Sequence, residues 1–385
     1  MTIDVVYIAI NIALLVFFFI VGQKVANRKR FWLYSVFCIA AFTFVQGARY
    51  MRGHDYGEYC RQFLWHDVST NPVFVTINEI LAMMGFNQYS CFAAYAFAFI
   101  LGGMFFMKEY KAYAKYLFPL FLLGFMAIEE YMIRQSFSYS FFFCFLVYLF
   151  RLDLKNRNFR KNDIFLCIFF AVITASIHTA NIINIFVFTT LFFLLRFPIH
   201  YMWGIPVYVM CVYVFPEMFN FDWLAPVLNV AASNNERAAM YVAKSSQWFS
   251  AAGAEDRYTR NAIIQLIETV GVSSLLYLGY VTIRKKMANS RPVVTMYNVY
   301  FLGICLMSLF RNLELLNRVG QLFNAYWCVV LAFVLYYRSE LMSKKRFVAY
   351  IGLLWFLYDY LKYLFFRDGM TQFIWDAPSY VRFFN

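Results

Sequence analysis

From Val5 to Phe366 the chain alternates apolar runs of about 15–23 residues with short clusters of charge. This pattern narrows the possible folds more than any other feature. A helix rising 1.5 Å per residue needs about 20 apolar residues to cross the hydrocarbon of a bilayer, where every backbone polar group must be satisfied internally. A soluble core has no use for so much apolar surface: 63% of the residues are hydrophobic, 14% are charged, and mean hydropathy is +0.58. The expected fold is an all-α polytopic membrane protein forming a single domain over 1–385.

The spans are expected at Val5–Gly22, Phe31–Gly47, Gln88–Met107, Tyr116–Ile128, Ile133–Phe150, Ile164–Ile177, Ala180–Phe197, Tyr201–Phe215, Ala262–Ile283, Thr295–Phe310, Val319–Tyr337 and Phe347–Phe366, about twelve in all. Met1–Gly22 lacks a basic leader and a small-residue cleavage site, so it reads as the first span. Residues 72–85 read differently. Asn71 is placed to cap, Pro72 to occupy the first helical position, and the apolar residues recur at helical spacing up to Gly85. This segment is short and carries Asn78 and Glu79, so an interfacial or re-entrant amphipathic helix is expected. With the amino terminus outside and this helix not crossing, the basic clusters around Lys24–Arg30, Lys108–Lys115, Arg151–Lys161, Arg284–Arg291 and Arg338–Arg346 all face the cytoplasm. That orientation accounts for the net charge of +13 without a nucleic-acid partner. It also places both termini, the motif region 48–87, a large loop 216–261 and a tail 367–385 on the outer side of the membrane.

The eight cysteines lie mostly inside apolar runs and form no CxxC pair, so neither a disulfide framework nor a zinc site is expected. No Asp-x-Asp or His/carboxylate cluster calls for a metal, and no cofactor is expected.

The chemistry concentrates in Arg49-Tyr50-Met51-Arg52-Gly53-His54-Asp55-Tyr56-Gly57-Glu58-Tyr59. Charge this dense beside a span is unfavourable unless it is paired or binds something. The outward loops are rich in arginine (Arg49, Arg52, Arg61, Arg134, Arg311 and Arg318 among them) and carry only Lys244 and Lys362. The planar guanidinium grips phosphate or carboxylate through two parallel hydrogen bonds, which an ammonium cannot do. Simple surface pairing with acidic residues is the competing explanation. Ile133-Arg134-Gln135 and His178-Thr179 sit at outer ends of spans, and Glu314 with Arg318 forms an i, i+4 pair. A histidine at a helix junction is commonly structural. Aromatics such as Trp223, Tyr241, Trp248 and Tyr258 are placed to stack on sugars or to form the interfacial belt.

Taken in order, Arg49-Tyr50-x-x-Gly53-x-Asp55-Tyr56-x-x-Tyr59, the amphipathic helix ending at Gly85, Ile133-Arg134-Gln135 and His178-Thr179 resemble the EpsG family of Wzy-like polysaccharide polymerases. Arg318 followed by Tyr326 fits the same pattern more loosely. The resemblance implies a glycosyltransferase of GT-C-like architecture that joins undecaprenyl-pyrophosphate-linked repeat units at the periplasmic face. It implies Arg49, Arg134 and Arg318, then Arg52 and Arg311, as ligands of the leaving pyrophosphate. Asp55 or His178 would serve the acceptor hydroxyl, and Tyr56, Tyr59, Gln135 and Glu314 would contact substrate. Membrane lipids, a chain-length regulator and a flippase are the implied partners.

Other readings remain open at this point. Glu129-Glu130-x-x-x-Arg134 matches one motif of intramembrane prenyl-type proteases, but Thr174 and Ile182 stand where the companion motifs need other residues. A flippase of lipid-linked oligosaccharides would line a central cavity with charge, whereas these spans are almost free of mid-helix charge. An O-antigen ligase shares the donor but not the acceptor. A membrane O-acyltransferase is a further alternative.

Overall fold

The structure is a computed structural model that describes residues 4–28, 30–53, 55–65, 71–153, 161–218, 261–311, 314–365, 371–378 and 381. Most of the loop expected at 216–261, with Trp223, Tyr241, Trp248 and Tyr258, lies outside the described residues, as does most of the tail expected at 367–385.

The described residues are almost entirely helical: α1 Val5–Asn27, α2 Phe31–Gly47, α3 Tyr56–Trp65, α4 Pro72–Met83, α5 Cys91–Lys108, α6 Ala114–Tyr131, α7 Ile133–Arg151, α8 Lys161–Ile177, α9 Asn181–Leu194 and α10 Tyr201–Tyr213, then α11 Ala262–Lys286, α12 Arg291–Leu309, α13 Glu314–Asn324, α14 Trp327–Tyr336, α15 Lys344–Gly352 and α16 Leu354–Phe365. Seven described segments are long and apolar enough to cross a membrane. They are Val5–Asn27, Cys91–Lys108, Lys111–Tyr131, Ile133–Arg151, Ala262–Lys286, Arg291–Leu309 and Asn317–Tyr336. Shorter apolar helices stand at Phe31–Gly47, Pro72–Met83, Asn181–Leu194 and Tyr201–Tyr213. The protein is thus a multi-pass, all-α membrane protein. The expected span Val319–Tyr337 corresponds to Asn317–Tyr336, with a turn at Ala325 and Tyr326 between α13 and α14, and the expected span Phe347–Phe366 is interrupted at Leu353 between α15 and α16.

By its contacts the chain divides into two compact units: Met1–Leu194 with Asp359–Asn385, and Leu195–Tyr358. In the first unit, α5 lies against α2 and α7, α1 against α6, and α7 against α8. Its core is aromatic, with Phe99, Phe121, Phe125 and Phe143 meeting at ring separations of 4.8–6.5 Å. In the second unit, α12 lies against α10 and α13, and α11 against α14 and α15.

Within the region expected as a loop at 48–87, the structure adds a helix, α3. It is ten residues long and amphipathic, turning Tyr56, Gln62 and Phe63 inward, and it is too short for periodicity to single out from sequence. The next helix follows its capping signals. Asn71 accepts from the Phe74 amide at 3.0 Å, Pro72 opens α4, and Gly85 beyond its end has φ +89°.

Candidate functional site

The motif begins where α2 ends. Two residues here leave ordinary backbone space: Met51 at φ 52° and Gly53 at φ 95°. A non-glycine residue in the left-handed region is unfavourable by about 1 kcal/mol or more, so the surroundings must hold Met51 there. Gly53 is required twice over, because a Cβ at this position would also collide with the carbonyl oxygen of Glu130. The motif is therefore pressed directly onto the last turn of α6.

That close approach lets two arginines meet two glutamates. Arg49 Nη2 pairs with Glu129 Oε1, its Nη1 donates to the Glu129 carbonyl at 3.3 Å, and its Nε donates to the Gln46 carbonyl at 2.6 Å. Arg52 Nη1 lies 3.6 Å from Glu130 Oε1, and its Nη2 donates to the Val45 carbonyl at 2.6 Å and to Gln46 Oε1 at 3.4 Å. All four charged side chains are 0% exposed. Charges this deep persist only when paired and hydrogen-bonded, because the effective desolvation penalty is several kcal/mol per ion. Aromatic faces complete the enclosure. The Arg52 guanidinium is 4.6 Å from the Phe373 ring centroid and 5.5 Å from that of Tyr7, and Arg49 is 5.6 Å from that of Phe92. The hydroxyl of Tyr7 donates to Glu130 at 3.3 Å, and Tyr363 donates to the same carboxylate.

The tail is a strap over this cluster. Arg49 and Phe373 form an antiparallel bridge, the Tyr50 amide donates to the Gln372 carbonyl at 3.0 Å, and the Ile374 amide donates to the Ala48 carbonyl at 2.8 Å. Trp375 stacks on Phe373 at 4.4 Å and on Phe44 at 6.2 Å.

Arg49 and Arg52, expected at a pyrophosphate, face the Glu129 and Glu130 carboxylates with side chains that are 0% exposed. Tyr56, expected at the substrate, stacks on Phe92 at 4.5 Å within the core, and burial pushes its phenol well above the usual range. Gln135 is buried and donates to Asn181 Oδ1 at 3.4 Å, in a chain that continues from Asn181 to Ser138 at 2.7 Å and from Ser138 to the Thr174 carbonyl at 2.8 Å.

Four others remain accessible. Asp55 precedes α3 half-buried, its carbonyl accepting from the Tyr59 amide at 3.0 Å. The neighbouring Arg49 and Arg52 pair with Glu129 and Glu130. Arg134 stands in the first turn of α7, where its amide donates to the Tyr59 hydroxyl at 3.3 Å. Its Nε is buried and has no hydrogen-bond partner among the described residues. His178 closes α8, half-buried, its amide donating to Thr174 at 3.2 Å. Asn71 ties the start of α4 to the same end of α8 through the Ser176 and Ile177 carbonyls at 3.0 and 3.1 Å. Ile133 and Ile177, the residues before Arg134 and His178, belong to one apolar cluster with Phe74, Phe92, Tyr95 and Phe137. Arg134, Tyr59 and His178 thus surround the same packed base.

Arg311, Glu314 and Arg318 belong to the second unit. There Arg311 donates to the Val212 carbonyl at 3.4 Å and Arg318 is exposed; the side chain of Glu314 lies outside the described residues. No group of three or more His, Cys, Asp or Glu among the described residues is arranged to hold a metal ion.

The sequence shows Glu129 and Glu130 only as part of a protease-like motif, and it gives no role to Tyr7, Tyr363 or Phe373. Adjacent carboxylates ending an apolar run were the available signal, since a span tolerates such a pair only opposite cations. Nothing local marks Tyr7, Tyr363 or Phe373, which arrive from the two ends of the chain.

No curated protein and no solved structure matches the chain. The EpsG family profile matches residues 31–375, covering the motif, α3 to α9, all of the second unit and the tail strap. That match supports a general polysaccharide polymerase-type role. Extending over nearly the whole sequence, it places this chain in the EpsG family.

Proposed function

We propose that this protein extends a polysaccharide by joining lipid-pyrophosphate-linked repeat units at the outer face of a bacterial inner membrane, with Arg134 as the principal ligand of the leaving pyrophosphate. The observation that carries this reading is the Arg134 side chain. It combines a buried, unpartnered Nε with a position at the positive end of a 19-residue helix. A guanidinium and a helix N-terminus are complementary to a phosphate oxyanion, and the buried Nε gains from acquiring an acceptor.

In the reaction, an acceptor hydroxyl on one lipid-linked unit attacks the anomeric carbon of the other. The carbon–oxygen bond to the pyrophosphate breaks, and the polyprenyl pyrophosphate departs with the bonding pair. Charge grows on the leaving oxygen as the bond lengthens, so a donor fixed at that place accelerates the step. Arg134 fills this role here without requiring a metal. The acceptor hydroxyl gives up its proton as it attacks, and Asp55 is the base, with His178 as the second candidate. Tyr59, whose hydroxyl accepts from the Arg134 amide, borders the pyrophosphate position. Undecaprenyl-pyrophosphate-linked oligosaccharides are the substrates, and a flippase and a chain-length regulator are the partners.

The test uses purified protein in vesicles with lipid-pyrophosphate-linked repeat units and no added metal. A ladder of chain lengths that disappears in Arg134→Ala supports the reading. Movement of intact units across the vesicle membrane with no new glycosidic bond overturns it.

A further inference from the structure

Three features lie outside the proposed chemistry: the buried Arg–Glu cluster, the apolar groove of about 530 Å³ between α2 and α5 closed by Ile374 and Trp375, and the aromatic group around His200. The first carries an inference. We infer that Glu129 and Glu130 are positioning residues that fix the α6–α7 junction and so aim Arg134 at the leaving group. This rests on the reading of Arg134 given above.

α6 ends at Tyr131, the Met132 amide still donates to the Ile128 carbonyl at 2.9 Å, and α7 begins at Ile133. A single residue, Met132 at φ −122° and ψ 58°, separates the two helices. Arg134 therefore lies five residues beyond Glu129 with almost no slack, and rotation of the last turn of α6 moves the first turn of α7 with it. The two carboxylates anchor that last turn on every side. Arg49 grips both the side chain and the carbonyl of Glu129. Glu130 faces Arg52, Tyr7 of α1 and Tyr363 of α16, and its carbonyl abuts Gly53. From the far side, the Arg134 amide is held by Tyr59 of α3. Four separate parts of the chain thus converge on the six consecutive residues Glu129–Arg134, whose only accessible charge is Arg134. A fold could bury an apolar turn here with less desolvation, so the charged arrangement is explained by orientation.

The experiment has two readouts in full-length protein. The first is independent of chemistry: Arg134→Cys is labelled in membranes with an impermeant thiol reagent, and the peptide containing residue 134 is quantified by mass spectrometry. Adding Glu129→Gln or Glu130→Gln is expected to change the labelling rate about tenfold, with Glu129→Asp restoring much of it; an unchanged rate overturns the inference. The second is a double-mutant cycle on chain extension. Glu129→Gln alone should lower kcat about tenfold with little change in KM, and should have no further effect in an Arg134→Lys background. Independent, multiplicative losses also overturn the inference, because they mean Glu129 does not act through Arg134. If Arg134→Lys extends chains normally while labelling still responds to Glu129→Gln, the positioning stands and the assignment of Arg134 fails. Thermal unfolding of each variant separates these outcomes from simple loss of fold, and Glu130→Gln supplies the cycle if Glu129→Gln does not assemble.

Discussion

Replacing Arg49 with methionine leaves the Glu129 carboxylate in a site that is 0% exposed, facing a hydrocarbon side chain. Breaking a buried pair by removing one partner is destabilising by about 3–5 kcal/mol, and the Gln46 and Glu129 carbonyls also lose charged donors. The reciprocal Glu129→Leu is milder, because Arg49 keeps those two carbonyls, and about 3 kcal/mol is expected. In the double variant Arg49→Met/Glu129→Leu no charge is stranded, and stability should return to within about 2 kcal/mol of the starting protein. Unfolding can be followed in detergent with a thiol-reactive dye, since all eight cysteines are free and only Cys60 and Cys144 are part-exposed. The arginine variant should melt on the order of 10 °C lower, with most of that loss recovered in the double variant. Melting of Arg49→Met within about 2 °C of the parent would refute the reasoning, because it would mean that Glu129 is not buried as a paired charge.

Gly53→Ala should destabilise by about 1–3 kcal/mol, from a positive φ and a collision with the Glu130 carbonyl, and the same dye assay reads it. Phe373→Ala removes an aromatic face 4.6 Å from Arg52 and a ring stacked on Trp375, so a loss of about 3–5 kcal/mol and faster proteolysis of the tail are expected. Burial pushes the Cys60 thiol up to about 12, so at pH 8 its thiolate fraction is about 1,000-fold below that of an ordinary cysteine. Alkylation of Cys60 should therefore stay slow through neutral pH and accelerate only as pH rises toward that value; rapid labelling at pH 7 would show that α3 does not bury it.

The spans and the amphipathic α4 were legible because each announces itself locally, through an apolar run of bilayer length or through Asn71, Pro72 and Gly85 at capping positions. The motif was legible as a concentration of charge, but its internal division was not. Whether an arginine beside a span binds a ligand or a carboxylate depends on what lies opposite, and Glu129 and Glu130 are about 80 residues away in sequence. The same blindness to distant partners hid the C-terminal strap, in which Phe373 pairs with Arg49. Arg134 and His178 stood out for the converse reason: each ends or begins a long apolar helix, where charge has few structural reasons to stand. The break at Leu353 and the two-unit division depend on tertiary contacts that hydropathy does not record.

The account depends most heavily on Arg134. The direct measurement is single-turnover glycosyl transfer by purified protein and by its Arg134→Lys and Arg134→Ala variants, with donor saturating and stability matched by thermal unfolding. The account predicts that Arg134→Ala slows bond formation by about 100-fold or more, with partial recovery in Arg134→Lys, as expected for the loss of one preorganised donor to a developing charge. Bond formation at the parent rate in Arg134→Ala would contradict it.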